Sequence, residues 1–561
     1  MIHSYHDGTK HHFDRFARSL GYLDWASQPN PFRHFNGAPE CPLFPRPGAI
    51  HSAIGDILRH SLGLSAWKEL RGSRWSLRVN PSSGNLHPTE AYVVCGPTPG
   101  ISTAAGVYHY AADRHALEQR CAFDPDEWER IVGPESAQWL VVLTSIHWRE
   151  AWKYGERAFR YCQHDLGHAV AAVAIAAALA SQRASIVPDW PHEQIAALAG
   201  IDRDQDYVDA EREEVGCVLS VVVSRQSSVT RQSSVVSHES FDAGPIAMID
   251  RDALVDAVRK GKWTGRANQL SEDHVQWTFI DDIARATQDP GRALSTMPRG
   301  QFRNQNIRSI QLPDHPITRL PDRPLLLQRR SAVALDGRSA IDADRFFALL
   351  ASVLPADRPP WDALWWDPRI HLALFVHRVD GVDPGLYLLV RNPRAVDALR
   401  AAIGRDFSWQ PVSDGLPLFR LAPGDCRRLA ERVSCDQEIA ADGFFSLGML
   451  AEFDASLQQF GPSFYRQLFW ESGVVGQRLY LAAEAAGTRG TGIGCFYDDP
   501  VHQILGLTGH AFQSLYHFTI GVPVEDTRLT TEPGYAWERA GHDGGACGHA
   551  SPRPRNAAAE R

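Results

Sequence analysis

Arg78-Val79-Asn80-Pro81-Ser82-Ser83-Gly84-Asn85-Leu86-His87-Pro88-Thr89-Glu90-Ala91-Tyr92-Val93-Val94 is a polar loop bounded by prolines that runs into an apolar, β-rich segment. Proline, glycine and adjacent serines fix an exposed turn ahead of a strand, and such loops commonly display binding groups. The plain alternative is a tight connection that binds nothing. The rest of the chain decides between the two.

Working outward, Ser52 is placed to cap a helix whose apolar positions Ile54, Ile57, Leu58 and Leu62 recur at helical spacing, with Gly63 ending it. After the loop, residues 91–95, 107–110 and 139–143 read as strands, residues 152–181 as a long helical region and residues 217–223 as a closing strand. The first 50 residues, rich in His, Pro and aromatics, read as an arm wrapping a domain. Six serines and no apolar period mark residues 225–243 as a linker. Helix-like pieces at 252–258 and 274–287 suggest a connecting subdomain.

From about residue 324 the order of elements repeats: a helix at 342–353, strands at 372–376 and 385–389, a long helix at 474–486 and a strand at 515–520. The phrase Gly385-Leu386-Tyr387-Leu388-Leu389 echoes Gly106-Val107-Tyr108-His109-Tyr110. Two divergent copies of one α+β domain, fused as a pseudo-dimer, account for this order. The expected boundaries are 1–225 for the first domain with its arm, 226–320 for the linker and connecting helices, 321–530 for the second domain and 531–561 for a disordered tail.

A chain of 561 residues exceeds one hydrophobic core, and 44% hydrophobic with 22% charged residues is ordinary globular composition. A net charge of -9 argues against a general nucleic-acid binder. Nine scattered cysteines without a CxxC pair point to reduced thiols in a cytoplasm. The alanine-rich run 166–181 is shorter than the ~20 residues of a membrane span and reads as a buried helix, so no membrane association is expected.

The run Pro81-Ser82-Ser83-Gly84-Asn85-Leu86-His87-Pro88, the helix start Lys153-Tyr154-Gly155-Glu156-Arg157 and the closing Gly521-Val522-Pro523-Val524-Glu525-Asp526-Thr527-Arg528-Leu529 together resemble the nitroreductase superfamily, and within it the SagB-type (azoline) dehydrogenase branch. The resemblance implies FMN at an interface between two units. Pro81, Ser82, Ser83 and Asn85 would form the loop that covers the flavin ring. The second unit carries Gln328-Arg329-Arg330-Ser331, where two guanidinium groups and a hydroxyl suit a phosphate. By the same resemblance, Thr491, Gly492, Ile493 and Gly494 would form the turn facing flavin N5, and Arg528 the late basic residue. Val333 stands where the family often has another basic residue, which leaves one phosphate contact unaccounted for.

Each unit lacks what the other keeps. The first has only Pro31-Phe32-Arg33-His34 in place of Arg-Arg-Ser, and the second has Pro359-Pro360-Trp361-Asp362-Ala363-Leu364-Trp365-Trp366 in place of the Pro-Ser-Ser loop. One composite FMN site is therefore expected. Lys153 and Tyr154 match the pair that the azoline-dehydrogenase branch uses for deprotonation, a role in which a lysine needs burial or a nearby cation.

Other signals are weaker. His3, His6, His11 and His12 could bind a metal, but a solvated arm is the plainer reading, and no metal site is expected. His164 and His168 have zinc-ligand spacing, yet Asp165 stands in place of the glutamate of HExxH. The glycines of 487–494 follow a helix, which argues against a dinucleotide fingerprint. Trp361, Trp365 and Trp366 are either core or a cap over a pocket.

The expected function is an FMN-dependent oxidoreductase, foremost a SagB-type dehydrogenase oxidising an azoline-like or related C–N substrate, small or peptide-bound, beside other biosynthetic enzymes. The alternatives are an NAD(P)H-dependent nitro or quinone reductase and a flavin-free scaffold.

Overall fold

The computed structural model describes residues 1–44, 52–133, 136–223, 249–292, 315–404, 406–413 and 415–539. The expected serine-rich linker lies outside these residues, as does the tail beyond 539.

Two antiparallel sheets repeat one strand order. In the first half the strands are β1 (Ala116–Phe123), β2 (Ala105–Ala111), β3 (Thr89–Cys95), β4 (Trp139–Ser145), β5 (Glu214–Val223) and β6 (Gln182–Ile186), listed across the sheet. In the second half the corresponding order is β7 (Leu416–Pro423), β8 (Gly385–Leu389), β9 (Ile370–Val376), β10 (Phe445–Glu452), β11 (Phe512–Gly521) and β12 (Arg489–Ile493). The fold is the expected α+β pair of like units. Central strands such as β3 and β9 are buried along their whole length, which explains their unbroken apolar runs in place of alternation.

A long helix lies behind each sheet: α1 (Ala158–Leu179) in the first half and α2 (Phe464–Ala485) in the second. Both are buried on nearly every side, because each is covered by its own sheet and by the other helix. They cross at two glycines. A Cβ on Gly167 would lie 2.1 Å from the Trp470 carbonyl oxygen, and one on Gly473 would lie 2.2 Å from that of His164. Each glycine thus meets the residue three positions before the other, as a two-fold relation requires.

The chain ends are exchanged between the halves. The N-terminal arm, read as extended, begins with a helix (Ile2–Gly8) and docks on the second half, where His6 bonds Gln513 (3.0 Å) and Asp7 bonds His510 (2.9 Å). The arm is anchored, and His6 and His11 are buried, contrary to the solvated reading. Reciprocally, Thr530–Pro533 pairs with the first-half strand Leu64–Leu70, and the Tyr535 hydroxyl donates to the Ala112 carbonyl (2.6 Å). The packed chain therefore runs past the expected boundary at 531.

Other differences from the sequence reading have local causes. α2 starts at Phe464, ten residues before the expected 474, and the glycine-rich run is the edge strand β12, not a turn. Its glycines are packing requirements: a Cβ on Gly490 would strike Phe518, one on Gly492 the Tyr516 hydroxyl and one on Gly494 the Tyr161 ring. Residues 249–292 belong largely to the first half, since Arg266–Ala267 pairs with Phe35–Asn36. Their end reaches α2, where Arg466 donates to Thr287 (2.9 Å) and to the Ala284 carbonyl (2.7 Å).

Candidate functional site

A cavity of about 390 Å³ lies between the halves, within the size range of small-ligand pockets. The opening loop forms one wall with Pro81, Ser82, Ser83, Gly84 and Asn85; Arg329, Arg330, Ser331, Thr491, Gly492, Ile493 and Gly494 form another. Residues 400 positions apart in sequence meet because the two-fold-like crossing sets the loop of one half against the edge strand of the other.

The loop is braced from within. Ser83 to Asn85 form a single 3-10 turn, and Gly84, Asn85 and His87 all have positive φ (60°, 60° and 53°). Such backbone needs outside support in residues other than glycine. The Ser82 hydroxyl accepts from the His87 N–H (2.7 Å), Asn85 Nδ2 donates to the Ser76 carbonyl (2.9 Å) and Asn85 Oδ1 meets His87 Nε2 (3.0 Å). Asn85 was expected to touch a ligand, yet its polar atoms are spent inside the loop. Ser83 donates through both its N–H (3.0 Å) and its hydroxyl (3.1 Å) to Asp165 of α1.

Asp165 is fully buried, and desolvation pushes its carboxyl up to about 7 despite the serine donors. Glu150 beside it is also buried and pushed well above the usual range by desolvation and by Asp165. Two neighbouring buried carboxyls cannot both ionise cheaply. Burial therefore disfavours a second negative charge directly beneath the loop.

The opposite wall is cationic. Lys68, Arg78, Arg329 and Arg330 all line the cavity, against Asp165 as the acid among its lining residues. Burial and the adjoining Arg329 lower Arg330 to about 10, against the opposing effect of Glu484. Arg330 donates to the Ser65 hydroxyl (3.3 Å) and to the Leu327 carbonyl (2.8 Å). Arg329 is more deeply placed and ties the halves, donating to the Val79 carbonyl (3.0 Å) while its buried Nη1 has no partner. The Tyr480 hydroxyl accepts from Ser331 (3.1 Å) and from the Gly492 N–H (2.8 Å). The Gly492 amide is thereby engaged.

Two expected residues do not line the cavity. Arg528 is exposed and paired with Asp526 (2.8 Å), whereas Lys68, from the strand that the chain's C-terminal segment pairs with, lines the cavity. Lys153 is exposed, which withholds the burial its proposed role calls for. It does lie close: Lys153 Nζ and the Tyr154 hydroxyl stand 3.4 and 2.7 Å from where a Gly84 Cβ would be. Tyr154 lines the cavity, and burial, with Glu150 nearby, pushes its phenol well above the usual value.

Sequence reading missed Lys68, Tyr161, Asp165, Tyr480 and Tyr516. Asp165 stood inside the His164–His168 pattern, where only its failure to be glutamate was noticed. His168, buried and lowered to about 3 by desolvation and by Arg329, lines the cavity with its Nε2 3.3 Å from the Tyr516 hydroxyl. His164 lies flat against Tyr516 (4.3 Å between centroids). Trp361 and Trp366 are buried core of the second half.

Unpaired buried Arg329 Nη1 and a cationic wall are features that suit an anionic ligand such as FMN. Compared with solved structures, the chain is similar to a candidate nitroreductase from Anabaena variabilis at 21% identity and a TM-score of 0.66, over 93% of this chain and 99% of that one. The chain has the nitroreductase fold. Partial likenesses, each over 36% of this chain, are to the E. coli microcin synthetase McbBCD complex with truncated pro-MccB17 (17% identity, 70% of that chain, TM-score 0.27) and to a candidate nitroreductase from Ralstonia eutropha (15% identity, 82% of that chain, TM-score 0.26). No protein-family model matches the sequence, and no curated protein does.

Proposed function

We propose that this chain is an FMN-dependent oxidoreductase with one composite site, acting as a SagB-type dehydrogenase on an azoline-like or related C–N substrate. The observation that carries the reading is the cavity between the halves, where Arg329 and Arg330 of the second half meet Lys68, Arg78 and the braced loop of the first. Bound there, FMN supplies two-electron redox chemistry. Lys68, Arg330 and Ser331 hold its phosphate by charge-assisted hydrogen bonds. Pro81 and Gly84 present small surfaces that leave room for a ring, and Asp165 fixes the loop by its two bonds from Ser83.

Tyr154 is the group best placed to hold or pass a proton at its hydroxyl, since it faces Gly84 across the loop. Lys153, being exposed, takes a part only when bound substrate covers it. Lys153→Ala is expected to leave FMN binding intact and to abolish azoline oxidation; unchanged turnover removes Lys153 from the mechanism. The reading as a whole is tested by adding FMN to purified protein. Protein that stays colourless after gel filtration contradicts it.

A further inference from the structure

Beside the cavity lies a second cluster that the flavin reading does not use. His11 of the N-terminal arm, Cys435 after the helix Arg427–Val433, and Cys495 after strand β12 bring one imidazole nitrogen and two sulfurs within 4.8 Å of one another. Cys495 Sγ is 2.9 Å from Cys435 Sγ and 3.6 Å from His11 Nδ1. We propose that His11 Nδ1, Cys435 Sγ and Cys495 Sγ form a binding site for one thiophilic divalent cation, zinc, that locks the arm of the first half onto the second beside the pocket.

The geometry suits that ion. Tetrahedral zinc with Zn–S of about 2.3 Å and Zn–N of about 2.0–2.1 Å sets its nitrogen and sulfur ligands about 3.6 Å apart and its two sulfurs about 3.8 Å apart. The His–Cys separation already has that value, and the two thiolates need to open by less than about 1 Å. Imidazole with two thiolates is a borderline-soft donor set that favours zinc over magnesium or calcium.

The three ligands are held in place by bonds that do not involve the donor atoms. The His11 N–H donates to Asp498 (2.9 Å), and the Asp498 N–H donates back to the His11 carbonyl (3.1 Å). Gln437 Nε2 donates to the Cys495 carbonyl (2.9 Å) and to the Ser434 carbonyl (2.7 Å), tying the two cysteine segments together. Cys435 and Asp436 both have φ of 56°, a backbone state that this bracing sustains.

The surrounding charges leave room for the metal. Asp498 is taken up by Arg157 (2.9 Å) and Arg160 (2.8 Å), so it does not compete as a ligand. Two thiolates and one zinc ion are neutral together, which avoids adding charge beside Arg157. Among the described residues the cluster offers three ligands. Cys495 also lines the cavity, so the fourth position falls to water or to a donor atom of whatever occupies the pocket, and the cavity is the entry path.

The test is metal analysis of the full-length protein, purified under thiol-protecting conditions, loaded with zinc and desalted. One zinc per chain is expected, falling at least tenfold in Cys435→Ser, Cys495→Ser and His11→Asn. Cobalt loaded in its place is expected to show thiolate charge-transfer bands and intense tetrahedral visible bands. Wild-type protein that retains no stoichiometric metal overturns the proposal, even if the variants fail to fold. So does a Cys435–Cys495 disulfide in non-reduced peptides of fresh protein, or metal that survives all three substitutions. None of these readouts depends on flavin.

Discussion

The loop around Ser82-Ser83 and the segment around Trp361 occupy corresponding places in the two halves, yet they do opposite things. Each is a 3-10 turn leading into a central strand, Ser83–Asn85 ahead of β3 and Trp361–Ala363 ahead of β9. Each faces the edge strand of the other half. The first is separated from β12 by the cavity, whereas the second is closed onto β6, with the Ser185 hydroxyl and Arg183 Nη2 both donating to the Asp362 carbonyl (3.3 Å). The acids behind the turns differ too. Asp165, two residues before Gly167, has serine partners, whereas Glu471, two before Gly473, accepts from the Arg369 and Ile370 amides and from the guanidinium of Arg391 (2.5 Å). The same scaffold position holds an acid raised by burial in one half and a buried ion pair in the other. The cavity lies where the turn is small and the acid has serine partners, and close packing lies where the turn is aromatic and the acid is paired with Arg391.

The relation between the halves breaks most severely at the helix crossing. Gly167→Leu and Gly473→Leu each force a side chain into backbone 2.1–2.2 Å from the Cβ, and each should cost more than about 3 kcal/mol. Urea melts of both variants check this, and a large loss in only one would deny the two-fold relation. Next comes the cationic wall: Arg330→Ala should weaken FMN binding by roughly 10- to 100-fold, the worth of a charge-assisted hydrogen bond. Arg183→Ala, at the closed turn, should leave FMN affinity within about twofold, since its bonds go to Asp362. Fluorescence titration compares the pair.

The acid behind the open turn gives a pH dependence. Asp165 has a folded value of about 7 against an ordinary 3.8, so its contribution to stability is complete below 3.8 and is lost as pH rises through 7. Relative to Asp165→Asn, the wild-type protein should therefore lose on the order of a few kcal/mol between pH 4 and 8. Denaturant melts at the two ends check the sign, and a wild-type advantage that grows with pH would be the wrong one. The smallest effect is expected of Arg528→Ala, exposed and paired only locally, which should change neither stability nor FMN affinity measurably.

Much of this was legible in the sequence, and the reason is local chemistry. Pro81, Ser82, Ser83 and Gly84 announce a turn by type, and Arg329-Arg330-Ser331 announces an anion site by charge. The repeat of strand and helix order announces two like units. What was not legible depends on partners far along the chain. Gly490, Gly492 and Gly494 look like turn residues until Tyr516, Phe518 and Tyr161 are known to lie over them. The start of α2 at Phe464 was hidden because its first ten residues, buried between sheet and helix, scatter the polar Arg466, Gln467, Glu471 and Ser472 among apolar ones and so show no exposed polar face. Lys68 carries no motif, and it enters the site because the chain's C-terminal strand fixes its own strand there. Cys435, Cys495 and His11 lie in three segments whose meeting no spacing rule foretells.

The central claim is one ligand site built from both halves and not two. Equilibrium dialysis of the full-length protein with FMN measures it directly: one FMN per chain, bound more weakly in Arg330→Ala, is the expected result. Two per chain, or one whose affinity is unchanged in Arg330→Ala, would contradict it.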